Sequence, residues 1–197
     1  ETICQFFART AQQHATRPAL AVKREGTWKT WTWAEHYAQV IRTARALVRL
    51  GVGPGHGVVI MGFNRPEWFW ADLGAIHAGA VPAGIYSTMT PEQVQYITHH
   101  CEAAVAVVEN ERYLEIFEHL RPQRPHLKAI VVTGGVASRG DVHAWDGFLR
   151  LGDEVPESVV RERADALAPA QLCTLIYTSG TTGSPTAVMM SHRNITF

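Results

Sequence analysis

Hydroxyl side chains and glycines are concentrated in one short segment, Tyr177-Thr-Ser-Gly-Thr-Thr-Gly-Ser-Pro-Thr186. Glycine tolerates positive φ angles, so such a segment can bend tightly and bring its backbone N–H groups close to an anion. Neutral hydrogen-bond donors for phosphate oxygens come from the hydroxyls of Thr178, Ser179, Thr181 and Thr182. A hydroxyl of this kind can also enter the ligand shell of a Mg²⁺ ion that bridges phosphates. The segment predicts a site for a triphosphate or pyrophosphate, and an ordinary polar surface turn is the alternative that composition leaves open.

Two better-known phosphate-binding patterns do not fit the chain. A P-loop reads G-x-x-x-x-G-K-[ST], and counting from Gly180 places Pro185 and Thr186 where glycine and lysine are required. The glycines between positions 51 and 57 precede a predicted strand, whereas a dinucleotide-binding glycine motif follows a strand and opens a helix. A phosphate site after Tyr177 would therefore depend on hydroxyls and backbone amides.

The elements that position this segment alternate between strand and helix. Apolar runs with little polar alternation predict buried strands, and apolar residues at helical spacing predict helices. The predicted strands lie at 58–63, 81–85, 104–108, 129–132 and 171–177, with a hairpin that joins 19–22 to 28–31. The predicted helices lie at 2–15, 32–50, 64–78, 90–101, 110–120, 145–149 and 156–167, and a further one opens after Ser191. This pattern predicts an α/β fold in which a mainly parallel, layered sheet carries helices on both faces.

Helix starts are marked by capping residues. Thr32 with Glu35 and Thr90 with Gln93 each place a hydroxyl three residues before an acid or amide, which is the pattern of a capping box. Asn64 with Glu67 has the same spacing, so Asn64 is predicted to cap the helix that begins near Pro66.

The chain of 197 residues has room for one domain or one large subdomain. We expect four parts around the predicted sheet. They are a helix, a hairpin and a capped helix (1–57), repeated strand–helix units (58–132), an irregular excursion with a polar helix (133–170), and a strand with the phosphate-binding segment (171–197).

Composition excludes several classes of protein. Eighteen Lys and Arg balance eighteen Asp and Glu, so nothing in the charge favours a nucleic-acid partner. No apolar stretch approaches the roughly 18 to 20 residues that a membrane span needs. Three separated cysteines (Cys4, Cys101 and Cys173) give no disulfide framework or zinc pattern, and Cys173 is predicted to be an inert core thiol. The chain begins at Glu1 without the features of a signal peptide, so we expect a trimmed chain of a cytoplasmic protein.

The text from Tyr177 to Asn194 closely resembles the phosphate-binding signature of the adenylate-forming superfamily, which includes acyl-CoA synthetases, luciferases and the adenylation domains of peptide synthetases. Three upstream stretches are similar to the N-terminal part of long-chain acyl-CoA synthetases, and most of all to the bubblegum type. They read TWAEHYAQVIRTARAL, MGFNRPEWFWADLGAIHAGAVPAGIYSTMTPEQVQYITHHCEAAVAVVEN and PHLKAIVV. The resemblance covers nearly the whole chain, which it identifies as an N-terminal piece of the large domain of such an enzyme.

The resemblance implies a reaction and its participants. In this family a fatty carboxylate attacks the α-phosphorus of Mg·ATP to give an acyl-adenylate and pyrophosphate, and the thiol of coenzyme A then displaces AMP. Positioning and charge stabilisation dominate such chemistry. A threonine hydroxyl, assigned to Thr182, would lie near the magnesium ion. The implied β- and γ-phosphate contacts are Thr178, Ser179, Gly180, Thr181, Thr182, Gly183, Ser184, Pro185 and Thr186.

Two features depart from the family pattern. The family motif continues Pro-Lys-Gly, whereas this chain continues Pro185-Thr186-Ala187, so an ammonium group and a glycine are both missing. We expect weaker nucleotide binding or slower adenylation than in a relative with lysine. The chain also stops at Phe197, before the family's adenine contacts, acidic metal ligand, most of the acyl tunnel and mobile C-terminal domain, so we expect no ligase activity from residues 1–197 alone.

Two alternatives to a fatty-acid ligase stay open. One is an adenylate-forming enzyme for an aryl or amino acid. The other is a non-catalytic nucleotide-binding or interaction module, which Thr186 and Ala187 favour.

Further metal-capable, basic or aromatic side chains have ordinary explanations. His99 and His100 point to different sides of one helix and are expected on its polar face. His192 is expected to shape the corner after the signature, with ligand contact as the alternative. The side chains of Arg42, Arg45 and Arg49 are predicted on the solvent side of their helix, with a peripheral membrane contact as the alternative. Core packing is predicted for Trp28, Trp31, Trp33, Trp68 and Trp70.

Overall fold

The computed structural model of the protein describes residues 1–123, 125–178 and 184–196. Its helices are α1 (Ile3–Gln13), α2 (Trp33–Arg49), α3 (Pro66–His77), α4 (Pro91–His100), α5 (Glu111–Leu120), α6 (Trp145–Leu151), α7 (Glu157–Asp165) and α8 (His192–Thr196). Its strands are β1 (Pro18–Arg24), β2 (Thr27–Thr32), β3 (Gly57–Met61), β4 (Val81–Ile85), β5 (Ala103–Val108), β6 (Ala129–Val132), β7 (Val142–Ala144), β8 (Leu172–Thr178) and β9 (Thr186–Ser191). Short 3₁₀ turns follow α5 (Arg121–Gln123) and α6 (Gly152–Glu154).

Seven strands form one sheet in the order β7-β6-β5-β3-β4-β8-β9. Neighbouring strands pair in parallel, except that β8 and β9 pair antiparallel at one edge. Strands β1 and β2 form a separate antiparallel hairpin. The prediction of a mainly parallel α/β sheet is confirmed.

Helices cover both faces of this sheet. Successive side chains of a strand point to opposite faces, and on β3 Val58 and Ile60 join the core beneath α2 and α3, while Val59 and Met61 join the core beneath α4 and α5. All five residues of β3 and all six of β5 are buried. The central strands are therefore sandwiched, which explains why their sequences lack polar alternation.

Two of the three predicted capping boxes are present. The hydroxyl of Thr32 accepts from the N–H of Glu35, whose carboxylate in turn accepts from the N–H of Thr32. The same reciprocal pair joins Thr90 and Gln93 at the start of α4. Each box satisfies backbone donors that a helix start leaves unpaired.

The predicted cap at Asn64 is wrong. Arg65 occupies the N-cap of α3 and makes no side-chain cap bond. The Glu67 carboxylate accepts instead from the guanidinium groups of Arg65 (Nε to Oε2, 2.8 Å) and Arg24 (3.2 Å). An ion pair with a side chain from the β1–β2 hairpin thus replaces the local capping contact, and motif spacing cannot reveal a partner 43 residues away.

The sequence analysis missed two short strands. Strand β7 lies in the region predicted to be irregular and extends the sheet by pairing with β6, from Ile130 beside Val142 to Val132 beside Ala144. Strand β9 follows the predicted phosphate-binding segment and returns alongside β8. Both lie at sheet edges, where the sequence signal of a buried strand is weak.

The surface side chains also differ in part from expectation. Arg45 donates to the backbone oxygens of Val155 (2.6 Å) and Asp153 (3.1 Å), and Arg49 pairs with Glu154 (2.9 Å). These two arginines bind the turn between α6 and α7 and do not form a free basic face. Trp28 is 64% exposed on the hairpin, so its predicted core position is wrong.

Within the described ranges, no helix combines the length and the apolar character needed to cross a bilayer.

Candidate phosphate-binding site

The predicted phosphate-binding segment joins β8 to β9 at the carboxyl end of β8. Thr178 and Thr186 face each other as the last pair of this hairpin, and the Thr178 hydroxyl donates to the backbone oxygen of Thr186 over 3.4 Å. Both residues are exposed, whereas Pro185 is buried. The hairpin therefore holds the two ends of the segment together while its hydroxyl side chains at the mouth meet solvent.

Four of the nine predicted contact residues are described by the structure, namely Thr178, Ser184, Pro185 and Thr186. Residues 179–183 lie outside the described ranges, and with them the predictions for Ser179, Gly180, Thr181, Thr182 and Gly183, including the magnesium ligand. In the described part of the chain, no group of three His, Cys, Asp or Glu side chains is placed to hold a metal ion. The magnesium prediction accordingly rests on the hydroxyl of Thr182.

A cavity of about 520 Å³ opens beside the mouth of this hairpin. Its lining includes residues directly after β3, residues at the end of β4 and the last residues of β8. Parallel sheets bind ligands outside the carboxyl ends of their strands, because loops and helix starts converge there. The cavity and the predicted phosphate contacts thus share the edge of the sheet at which a ligand is expected.

Aromatic and aliphatic side chains form much of the cavity wall. Trp68 of α3 lies so close to β4 that a Cβ added at Gly84 would stand 3.2 Å from the indole Cζ2 atom. Tyr86 and Ile176, at the ends of β4 and β8, are 61% and 43% exposed. Because Gly84 has no side chain, the indole has room to pack against β4. The wall suits a ligand with apolar surface.

Asp72 supplies a carboxyl group to the same cavity from the middle of α3. Burial raises the pKa of Asp72 to about 7, because a partly buried carboxylate loses hydration. Near neutral pH this group can therefore bind or release a proton. The sequence analysis missed Asp72, since a single acid in a helix resembles any surface acid.

Tyr177 holds the end of β8 against α4. Its side chain is 1% exposed, and its hydroxyl lies 2.8 Å from Nδ1 of His100. His99 and His100 are both exposed at the polar end of α4, as predicted, but the bond from His100 to Tyr177 was not foreseen. A contact 77 residues apart leaves no periodic signal in the sequence.

The three cysteine thiols are suited to packing. Burial raises the pKa values of Cys4, Cys101 and Cys173 to about 12, so each is a protonated thiol at neutral pH. All three are free, and Cys173 is fully buried. The prediction of an inert core thiol at Cys173 is confirmed.

His192 lies at the corner after β9, as predicted, and is 1% exposed. Its Nδ1 atom accepts from the backbone N–H of Ile3 over 3.3 Å, and this bond ties the start of α1 to α8. Burial lowers the pKa of His192, which favours the neutral ring that such acceptance requires.

Residues 7–197 match the family model described as AMP-binding enzyme, and the chain belongs to that family.

Two relatives show which members of the family the chain resembles. The chain is 41% identical to the long-chain-fatty-acid–CoA ligase ACSBG2 of Xenopus laevis over 198 residues, which cover all of this chain and 27% of that protein. It is 37% identical to the long-chain-fatty-acid–CoA ligase ACSBG1 of Bos taurus, again over all of this chain and 27% of the relative. The chain thus spans about a quarter of the length of these curated relatives, and the resemblance to bubblegum-type synthetases is confirmed.

Solved structures share the fold. The anthranilate CoA ligase AuaEII in complex with anthranoyl-AMP matches with a TM-score of 0.79 and 25% identity, over 98% of this chain and 35% of that one. A putative long-chain-fatty-acid CoA ligase from Rhodopseudomonas palustris matches with a TM-score of 0.81 and 21% identity, over 98% of this chain and 44% of that one.

Proposed function

We propose that the protein to which this chain belongs is an ATP-dependent long-chain fatty acid–CoA ligase, and that the chain is the N-terminal subdomain of its adenylation domain. The observation that carries the proposal is the 41% identity to a long-chain-fatty-acid–CoA ligase along the entire chain. The 37% identity to a second long-chain-fatty-acid–CoA ligase, again along the entire chain, supports the same class of substrate.

The proposed reaction has two steps. The fatty carboxylate attacks the α-phosphorus of ATP, which forms an acyl–phosphate bond and releases pyrophosphate. The CoA thiolate then attacks the acyl carbon, which forms the thioester and releases AMP. Magnesium bound to the triphosphate would supply charge neutralisation.

In this reaction the β8–β9 hairpin would orient the pyrophosphate leaving group. Thr178 and Thr186 lie at its mouth, and the residues between them carry the glycines and hydroxyls that suit phosphate oxygens. Holding the leaving group in a fixed geometry lowers the barrier, because the reacting atoms need not be oriented in the transition state. The aromatic and aliphatic part of the cavity wall beside the hairpin supports the proposal of a fatty substrate.

We further propose a cytoplasmic location, which the three free cysteines support. A peripheral membrane contact through the basic side chains of α2 has less support, because Arg45 and Arg49 bind neighbouring backbone and side-chain oxygens.

The test is ATP-dependent pyrophosphate release by the full-length protein with carboxylates of graded length. We expect the highest kcat/KM with long-chain fatty acids and low values with acetate, benzoate, anthranilate and amino acids. A preference for benzoate or an amino acid would move the protein to another branch of the family. If the protein binds ATP but releases no pyrophosphate with any of the carboxylates, the result would support the non-catalytic module that Thr186 and Ala187 favour. Residues 1–197 alone should form no thioester.

A further inference from the structure

The root of the proposed phosphate-binding segment is fixed by a contact between a strand and a helix. Tyr177 is the last buried residue of β8, one position before Thr178 at the hairpin mouth. Its hydroxyl meets His100 Nδ1 at 2.8 Å, and the two rings are perpendicular, with centroids 5.7 Å apart and an interplanar angle of 86°. The contact therefore fixes both the position and the orientation of the tyrosine ring.

Burial raises the pKa of Tyr177 well above its ordinary value, so the phenol keeps its proton. A protonated phenol can donate to a ring nitrogen or accept from a ring N–H, so the contact is a hydrogen bond in either tautomer of His100.

The histidine is itself held by its helix. The ring of His100 stacks on Tyr96, one turn earlier on α4, with centroids 5.5 Å apart and an interplanar angle of 27°. The next residue, Cys101, has its thiol beside Tyr177 and donates to the backbone oxygen of Thr98 over 3.9 Å. The end of α4 thus offers Tyr177 a rigid partner.

We propose that Tyr177 and His100 are a positioning pair that sets where β8 enters the phosphate-binding segment, so that breaking their bond weakens the hold on the triphosphate of ATP. This inference rests on the proposed function, because it assigns the pair to the same site. Tyr177 lies opposite Ala187 in the hairpin, next to the pair of Thr178 and Thr186. A shift of the tyrosine ring would therefore move both arms of the hairpin at the point where phosphate contacts begin. Such a shift is costly, because the hydrogen bonds to an anion depend on the alignment of donor and acceptor.

The test compares Tyr177→Phe, His100→Leu and His100→Asn in the full-length protein. Tyr177→Phe removes only the hydroxyl, and His100→Leu removes the ring nitrogen that it bonds. In His100→Asn, the side-chain amide stands near the place of Nδ1 and offers both a donor and an acceptor for the same bond. The matched control is Tyr113→Phe, which removes a hydroxyl from another buried tyrosine of the same core, on α5.

We expect Tyr177→Phe and His100→Leu each to raise the KM for ATP about five- to tenfold, because misalignment of the hairpin mouth should cost about as much binding free energy as one hydrogen bond to a phosphate oxygen. The kcat and the KM for the fatty acid should stay within twofold. His100→Asn should recover most of the ATP affinity, the double variant should be no worse than either single one, and Tyr113→Phe should leave all constants within twofold. For any of these proteins that binds ATP but does not turn it over, direct titration gives the Kd for ATP, which is compared in the same way.

A lower melting temperature of Tyr177→Phe and His100→Leu with an unchanged KM and Kd for ATP would overturn the inference, since the bond would then serve stability alone. That result leaves the proposed function standing. If the wild type neither binds nor turns over ATP, the proposed function fails and this inference fails with it.

Discussion

The centre of the sheet and its β8–β9 edge use similar residues in different surroundings. Ile60 of β3 and Ile176 of β8 lie in one row, because each pairs with Gly84 of β4 between them. Ile60 is 2% exposed, whereas Ile176 is 43% exposed, and its partner on β9, Val188, is also 43% exposed. The central strands are closed on both faces, while the edge keeps apolar side chains open beside the candidate site. Apolar side chains that remain open in a group are typical of surfaces that meet a ligand or another part of a protein. The centre therefore carries the stability of the fold, and the edge is where we propose that the ligand binds.

Truncation of the two isoleucines tests this division most strongly. Ile60→Ala should lower the free energy of unfolding by about 2 to 5 kcal/mol, because it removes buried methyl groups and leaves a cavity. Ile176→Ala is the matched control in the same row of the sheet, and its cost should be about 1 kcal/mol, since the side chain is half exposed. Urea unfolding of the two variants gives both values, and equal losses would contradict the comparison.

Asp72 lies between the two regions and makes stability depend on pH. Burial raises the pKa of Asp72 to about 7, whereas the unfolded chain has the ordinary value of 3.8. Between these values the folded state holds a proton that the unfolded state has lost, so this group lowers stability as the pH rises through that window. Asp72→Asn removes the penalty and should stabilise the fold on the order of 2 kcal/mol at pH 8, after allowance for partial exposure. Near pH 4 the two proteins should agree, and parallel stability curves from pH 4 to 8 would show that the carboxyl group is not buried as described.

Substitution of Thr186 tests whether the β8–β9 edge binds ATP. Thr186→Lys places an ammonium group at the hairpin mouth, where the family motif has lysine, and should raise ATP affinity about tenfold. The free energy of unfolding should change by less than about 0.5 kcal/mol, because the residue is exposed. Adenylation rates of the full-length threonine and lysine proteins are the measurement, and equal rates and affinities would refute the effect assigned to the missing lysine.

Substitution of Thr32 tests helix α2, which covers the central strands, and should have the smallest of these effects. Thr32→Ala removes the cap of α2 and should cost about 1 kcal/mol of stability. Thr32→Ser keeps the hydroxyl and should cost less than half of that. A loss of similar size in both variants would mean that the methyl group, and not the cap, stabilises the helix.

Local chemistry made much of the fold predictable. The strands from β3 to β6 are apolar throughout because helices cover both faces, and that pattern is visible in sequence. Capping boxes at Thr32 and Thr90 involve residues three apart, so spacing alone identifies them. At Asn64 the same reasoning failed, because Arg24 and Arg65 hold Glu67 and draw it away from the cap. Their hydrogen bonds, outweighing the effect of burial, hold the pKa of Glu67 below its ordinary value.

The candidate site was predictable only in part. Its hydroxyls and glycines are contiguous, so residue types indicate the segment after Tyr177 without knowledge of the fold. Trp68 and Asp72 come from α3 and His100 comes from α4, and only the folded sheet brings them to the edge that carries the segment. Long-range partners of this kind have no periodicity that a single sequence could reveal.

The central claim is that the segment after Tyr177 holds the β- and γ-phosphates of ATP. The most direct measurement is the affinity of the full-length protein for ATP and for AMP, in the wild type and in a variant with Thr181→Val and Thr182→Val. We predict that the wild type binds ATP at least about tenfold more tightly than AMP, since charge-assisted contacts to the outer phosphates exist only with ATP. The variant should lose that preference while its AMP affinity stays the same. An unchanged preference for ATP over AMP in the variant would contradict the claim.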